Sequence, residues 1–241
     1  MKLDVLSIGM ECPRTQIAAL QEWEPLANEE QHERDLHLIV VSRNLSSFQH
    51  VHPRLGDDGT WSVPLSLPAA GPYRAYADFA PAGRQDGLTL GLDLTATGDV
   101  ESRSFPRATM AAEVDGYRVD LDGQLVAGRE TQLAFRIERG GAPVTDLDPY
   151  LGAYGHLVAI RAGDLAYLHV HPTGEPGDGR TEAGPEVRFA VHVPSAGDYR
   201  LFLEFSHGGE VRTASYTAPA EEVSPSTEAP ERESGDEHNG H

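Results

Sequence analysis

Apolar side chains recur at every second position in short runs along this chain, and clusters of Gly, Pro, Asp and Asn separate the runs. Alternation with a period of two is the pattern of a strand with one buried face, and no long 3.6-residue period competes with it. In the second part of the chain the pattern predicts strands over 117–121, 132–138, 156–161, 166–171, 187–193, 199–205 and 211–217. Seven short strands between 113 and 218 predict a Greek-key sandwich of the immunoglobulin type, with a jelly roll or a cupin barrel as the other all-β solutions.

The chain also contains itself twice. His37-Leu-Ile-Val-Val through His50-Val-His52-Pro53 matches His156-Leu-Val-Ala-Ile through His169-Val-His171-Pro172 without a gap, at an offset of 119. A second block, from Trp61 to Phe79, matches Val187 to Phe205 at an offset of 126. The difference falls in 173–186, whose Gly, Pro, Asp and Glu content reads as a mobile loop. Pro-Ala-Ala-Gly-Pro-Tyr73 and Pro-Ser-Ala-Gly-Asp-Tyr199 have the form of a tyrosine corner, in which the hydroxyl bonds back to the chain.

The fold class is therefore all-β, with two tandem immunoglobulin-like Greek-key β-sandwich domains. The first occupies 31–98 and the second 113–218, joined by a linker over 99–112. The first is incomplete at its N-terminus: 1–30 carries none of the strand pattern that precedes His156, and 16–23 reads as a short helix. Lys2 is followed by Asp4 and only a brief apolar run, which makes no signal peptide. Two readings of this gap stand: the first strands have diverged, or the recorded start lies downstream of the true one, which is the favoured expectation.

Charge narrows the partners. The 241 residues carry a net charge of −19 with no basic cluster, which excludes a nucleic-acid groove. No apolar run approaches the ~18–20 residues of a membrane span. The segment 219–241 holds seven acids against one arginine and almost no aliphatic surface, so it reads as a disordered acidic tail. Its His238 and His241 read as solvated. Cys12 is the single cysteine, so no disulfide, CxxC motif or cysteine-rich zinc site can form within the chain.

The candidate chemistry is imidazole. Six of the 11 histidines fall at equivalent points of the two copies: His37, His50 and His52, and His156, His169 and His171. Between 37–53 and 156–172 only six of 17 positions are identical, and three of those are the histidines. Hairpin pairing with partners summing to 89 puts His37 opposite His52 and His50 opposite Ile39; in the second copy the sum is 327. All three imidazoles of a copy then point to one side of the sheet. Sandwich topology adds His207 beside His156 and His171, with Glu175 near; in the first copy His32, Glu33 and Asp35 precede His37. A fourth ligand from His207 predicts the tighter site in the second copy. His192, aligned with Ser66, reads as an ordinary strand residue. Neutral imidazoles without Cys or Met predict Cu(II) or Zn(II).

The paired motifs, each followed by a PxAGxYR strand, resemble the two-domain secreted heavy-metal-associated proteins of high-GC bacteria, a group without an established reaction. The resemblance spans about 32–218 and implies export to the cell envelope, a metal ion as ligand and another metal-handling envelope protein as partner. Two further classes stand beside that reading. Gly163-x5-His169-x-His171-x3-Glu175 fits the first cupin motif, which implies a metalloenzyme, although the second cupin motif is absent. A purely structural or adhesive sandwich would use the histidines only to tie strands together.

Overall fold

The computed structural model describes residues 2–8, 28–29, 34–57, 59–81 and 87–222. It is all-β, with no helix among the described residues and none long and apolar enough to cross a membrane. The expected helix over 16–23 and most of the acidic tail, His238 and His241 included, lie outside the described residues.

The amino-terminal half runs β1 (Lys2–Ile8), β2 (Asn28–Glu29), β3 (His37–Ser42), β4 (Phe48–Val51), β5 (Arg54–Leu55), β6 (Trp61–Ser66), β7 (Gly71–Pro81) and β8 (Leu88–Ala96). The carboxy-terminal half continues with β9 (Ala111–Val114), β10 (Tyr117–Gly123), β11 (Leu125–Val126), β12 (Glu130–Arg139), β13 (Ala142–Pro143), β14 (His156–Arg161), β15 (Tyr167–Val170), β16 (Glu186–His192), β17 (Gly197–His207) and β18 (Glu210–Glu221). Each of the seven strands expected in this half has its counterpart here. Sheet β13-β12-β10-β9, with β16 on β12, faces sheet β11-β18-β17-β14-β15. Tyr117, Phe135, Phe189, Tyr199, Phe205 and Tyr216 fill the space between them.

The amino-terminal half repeats the plan with fewer strands. Sheet β2-β7-β3-β4, with β8 on β7, faces β1-β6-β5 across Leu38, Val40, Trp61, Leu65 and Tyr73. β1 pairs with β6 as β12 pairs with β16, so one strand of the opposing sheet does come from 1–30. Its register shifts between Leu3 and Leu6, which breaks the alternation that would have marked it as a strand. Both tyrosine corners form: Tyr73 donates its hydroxyl to the Ala69 carbonyl at 2.8 Å, and Tyr199 to the Ser195 carbonyl at 2.9 Å.

One boundary moves. β18 runs to Glu221 with Ala220 buried, so the acidic tail begins later than 219. The linker is pinned to both halves, its Arg103 carbonyl by Asn44 Nδ2 and its Pro106 carbonyl by Thr217 Oγ1, both at 3.0 Å. The 173–186 stretch, expected to be a mobile loop, is organised about Asp178. That carboxylate accepts the backbone N–H groups of Arg180 and Thr181 and the Thr181 hydroxyl, each at 2.7 Å. These bonds hold it well below the usual carboxylate range.

β3, β7, β14 and β17 share one property: five or more consecutive residues of each are buried. A strand on the outside of a sandwich buries alternate residues; burial of both faces requires a second layer. The second layer is the other half. Ile39, Val41, Leu45 and Tyr76 of the first half and Val158, Ile160, Leu165 and Phe202 of the second form one apolar cluster. Leu45 and Leu165 sit in the hairpin turns at φ 55° and 59°, where a leucine costs of order 1–3 kcal/mol. Both side chains are buried in the cluster, which holds the backbone there.

Candidate metal centre

The site grows out of that seam. Residues of equal parity on β3 point to one face, so His37 accompanies Ile39 and Val41. The observed register pairs Ile39 with His50 and Leu38 with Val51, the expected sum of 89; Val158 pairs with His169, the expected sum of 327. On β7, Tyr76 lies opposite Ile39 and Asp78 opposite His37. On β17, Phe202 lies opposite Val158 and Glu204 opposite His156. Both copies thus bring their repeated histidines, one aromatic pair and one acid to the same face.

The two faces meet reciprocally. Phe48 stacks on Phe202 with ring centroids 4.2 Å apart, and at the equivalent positions Tyr167 stacks on Tyr76 at 5.0 Å. Nδ1 of His50 lies 2.5 Å from Oε2 of Glu204, while Nδ1 of His169 lies 2.7 Å from Oδ2 of Asp78. Each half therefore orients a histidine of the other with a buried carboxylate. Burial alone would raise the Asp78 carboxyl, but hydrogen bonds from His169, Thr89 and Tyr167 outweigh it and hold that group below its ordinary value. Arg200, also buried, donates to the Leu45 carbonyl and to the hydroxyls of Thr217 and Ser215.

The centre itself is His37, His50 and His52. One ring nitrogen from each lies within 4.8 Å of those of the others, the only such group of three among the described residues. With its Nδ1–H given to Glu204, a neutral His50 presents Nε2, which accepts from Nδ1 of His37 at 2.9 Å. Nε2 of His52 is buried and has no hydrogen-bond partner. Burial, with the neighbouring His50, His37, Arg34 and His156, pushes the His52 ring down to about 3, so it is neutral at any ordinary pH. A buried nitrogen lone pair without a partner is costly and rare. A tetrahedral ion at ~2.0–2.1 Å per bond holds its nitrogens about 3.3 Å apart, so side-chain rotations closing up to about 1.5 Å complete the grip. A cleft of about 840 Å³ lined by Arg34, Asp35, Trp61, His50 and His52 leads to the cluster.

The other expected ligands are arranged differently. His156 is buried, but its Nε2 donates to the Tyr150 carbonyl at 2.8 Å, so it does not mirror His37. The carbonyl comes from the turn in which Tyr150 and Ala153 bridge each other, just ahead of β14. His171 stacks on His169 at 5.1 Å with ring planes 8° apart, rather than meeting His156. His207 stays outside the cluster: its Nδ1 accepts from the Tyr117 hydroxyl at 2.6 Å and its Nε2 lies 3.1 Å from Asp146. The converging trio therefore belongs to the first copy, against the expectation of a tighter site in the second. Glu175 is exposed in the 173–186 stretch, and the strand pairings of this half make two facing sheets, so the cupin arrangement is not formed. His192 ends β16 exposed, as an ordinary strand residue. Asp35 lines the cleft, while His32 and Glu33 lie outside the described residues. Asp78 and Glu204 had not been singled out. Their signal is an acid at the same point of both copies, flanked by apolar residues on either side.

The model of a family described as a domain of unknown function (DUF8832) matches residues 112–222, the second sandwich. No curated protein matches the chain.

Proposed function

We propose that this chain binds a divalent ion of the Cu(II) or Zn(II) class through His37, His50 and His52, in a storage, delivery or resistance role at the cell envelope. The observation that carries the reading is the buried, unpartnered Nε2 of His52 facing two further imidazoles. An ion supplies what that lone pair lacks. The donor set suits the ion: three nitrogens and no sulfur, with room for water or a fourth ligand from the cleft. Glu204 supports it as well, because ligating histidines give their other ring N–H to a carboxylate that fixes tautomer and orientation. The envelope location and a metal-handling partner rest on the resemblance of the repeated motifs.

A structural reading competes on one observation: His37, His50 and Glu204 already form a hydrogen-bonded chain that ties the halves together. Elemental analysis of untagged protein equilibrated with mixed Cu, Zn, Ni and Fe separates the two. Metal binding predicts retained Cu or Zn, loss of the tightly held ion in His52→Ala, and an apo melting temperature unchanged or raised by that substitution. A protein that emerges empty overturns the reading and leaves the histidines as ties.

A further inference from the structure

We infer a second, outer metal site formed by His169 and His171, separate from the trio and taking the same class of nitrogen-seeking divalent ion. Asp78 fixes the ring of His169 through Nδ1, and Asp78 is itself held by Thr89 Oγ1 at 2.9 Å and the Tyr167 hydroxyl at 3.2 Å. The His169 ring is thereby set to present Nε2, as Glu204 sets His50. Two positions on, His171 leaves the same face of the chain, and its ring lies parallel to that of His169. The rings stack in this structure, so the outer imidazole turns about its side-chain bonds to bring one nitrogen of each to a single ion, with water completing the sphere.

Placement distinguishes this pair from the trio. His171 is exposed, the His169 side chain is 22% exposed and His37 is 2% exposed. The ring centroids step inward by 5.1 Å from His171 to His169 and by 6.3 Å from His169 to His37. The pair stands at the outer end of this series and the trio at its inner end. With two imidazoles instead of three and one of them exposed, the outer site is the weaker and the faster to exchange. The inference extends the reading of the trio without depending on it, since the two sites share no ligand.

The test counts ions on the full chain. Native mass spectrometry and calorimetry with Zn(II), and electron paramagnetic resonance with Cu(II), are applied to the wild type, His171→Ala, His52→Ala and the double variant. The expected counts are two, one, one and none, with the outer site at least about 10-fold weaker. The doubly loaded Cu(II) wild type shows dipolar broadening that both single variants lack. One ion in the wild type that persists in His171→Ala overturns the outer site and leaves the trio standing. One ion lost in His171→Ala but kept in His52→Ala supports the outer site and overturns the trio. An empty wild type overturns both.

Discussion

Oε2 of Glu204 lies 2.5 Å from Nδ1 of His50, although 154 positions separate the two residues. Both side chains are almost fully withdrawn from water, at 6% and 5% exposure. An imidazole and a carboxylate buried together satisfy each other, and removing one strands its partner. Glu204→Gln keeps the shape and an acceptor but removes the charge that makes His50 a better ligand. A competition titration against a chromophoric chelator is expected to show about 10–100-fold weaker metal binding. Unchanged affinity would mean that Glu204 serves only the seam.

His207→Ala is expected to leave metal affinity unchanged. Both ring nitrogens of His207 face Tyr117 and Asp146 within its own half. The cost is to stability, about 0.5–1.5 kcal/mol for the hydrogen bond to Tyr117. Calorimetric titration and a denaturation curve on the same sample check both parts, and a weakened site would reinstate His207 as a ligand.

Phe202→Ala opens the seam cluster. Phe202 is buried and stacks on Phe48 across the two halves, so its loss is expected to cost about 3–5 kcal/mol. The cost falls on the association of the halves rather than on either interior. Chemical denaturation followed by two probes, one in each half, should therefore lose its single transition. A single transition retained at lower stability would place the cost elsewhere.

Alkali should loosen the same seam. Burial raises the Tyr76 hydroxyl from its ordinary 10 to about 12, and that hydroxyl donates to the Leu165 carbonyl at 2.5 Å. The folded state holds the proton more tightly than the unfolded chain. The stabilisation is fully present below pH 10 and is lost as pH rises towards 12. Denaturation midpoints between pH 9 and 11.5 are expected to fall in the wild type and to fall less steeply in Tyr76→Phe. Equal slopes would show that other buried tyrosines dominate.

Strand positions in the second half and the facing of the histidines were legible because period-two patterning fixes which side chains share a face. The runs Leu38-Ile-Val-Val41 and Leu157-Val-Ala-Ile160 carried more than was read from them. Apolar residues at consecutive positions imply cover on both faces, and that cover is the opposite half. The pairing of the halves was not legible, since no pattern within one copy states which outer face meets which. The fate of His156 was hidden for a similar reason. Its ring is claimed by a main-chain carbonyl, Tyr150, whose position depends on a turn and not on side-chain type. His52 was named as a ligand from spacing alone. Its missing hydrogen-bond partner is a property of the packed neighbourhood that no spacing encodes.

The reciprocal contacts across the seam carry one more implication. Phe48 with Phe202 and Tyr76 with Tyr167, His50 with Glu204 and His169 with Asp78, are what two identical molecules make about a twofold axis. A chain with a single sandwich of this kind would be complementary to itself and would pair with its own copy. Tandem fusion keeps that pairing while releasing its two members from having to stay alike. One could then give up its own convergence of ligands, as His156 does, and the other could deepen a single pocket that a symmetric pair would have been obliged to build twice.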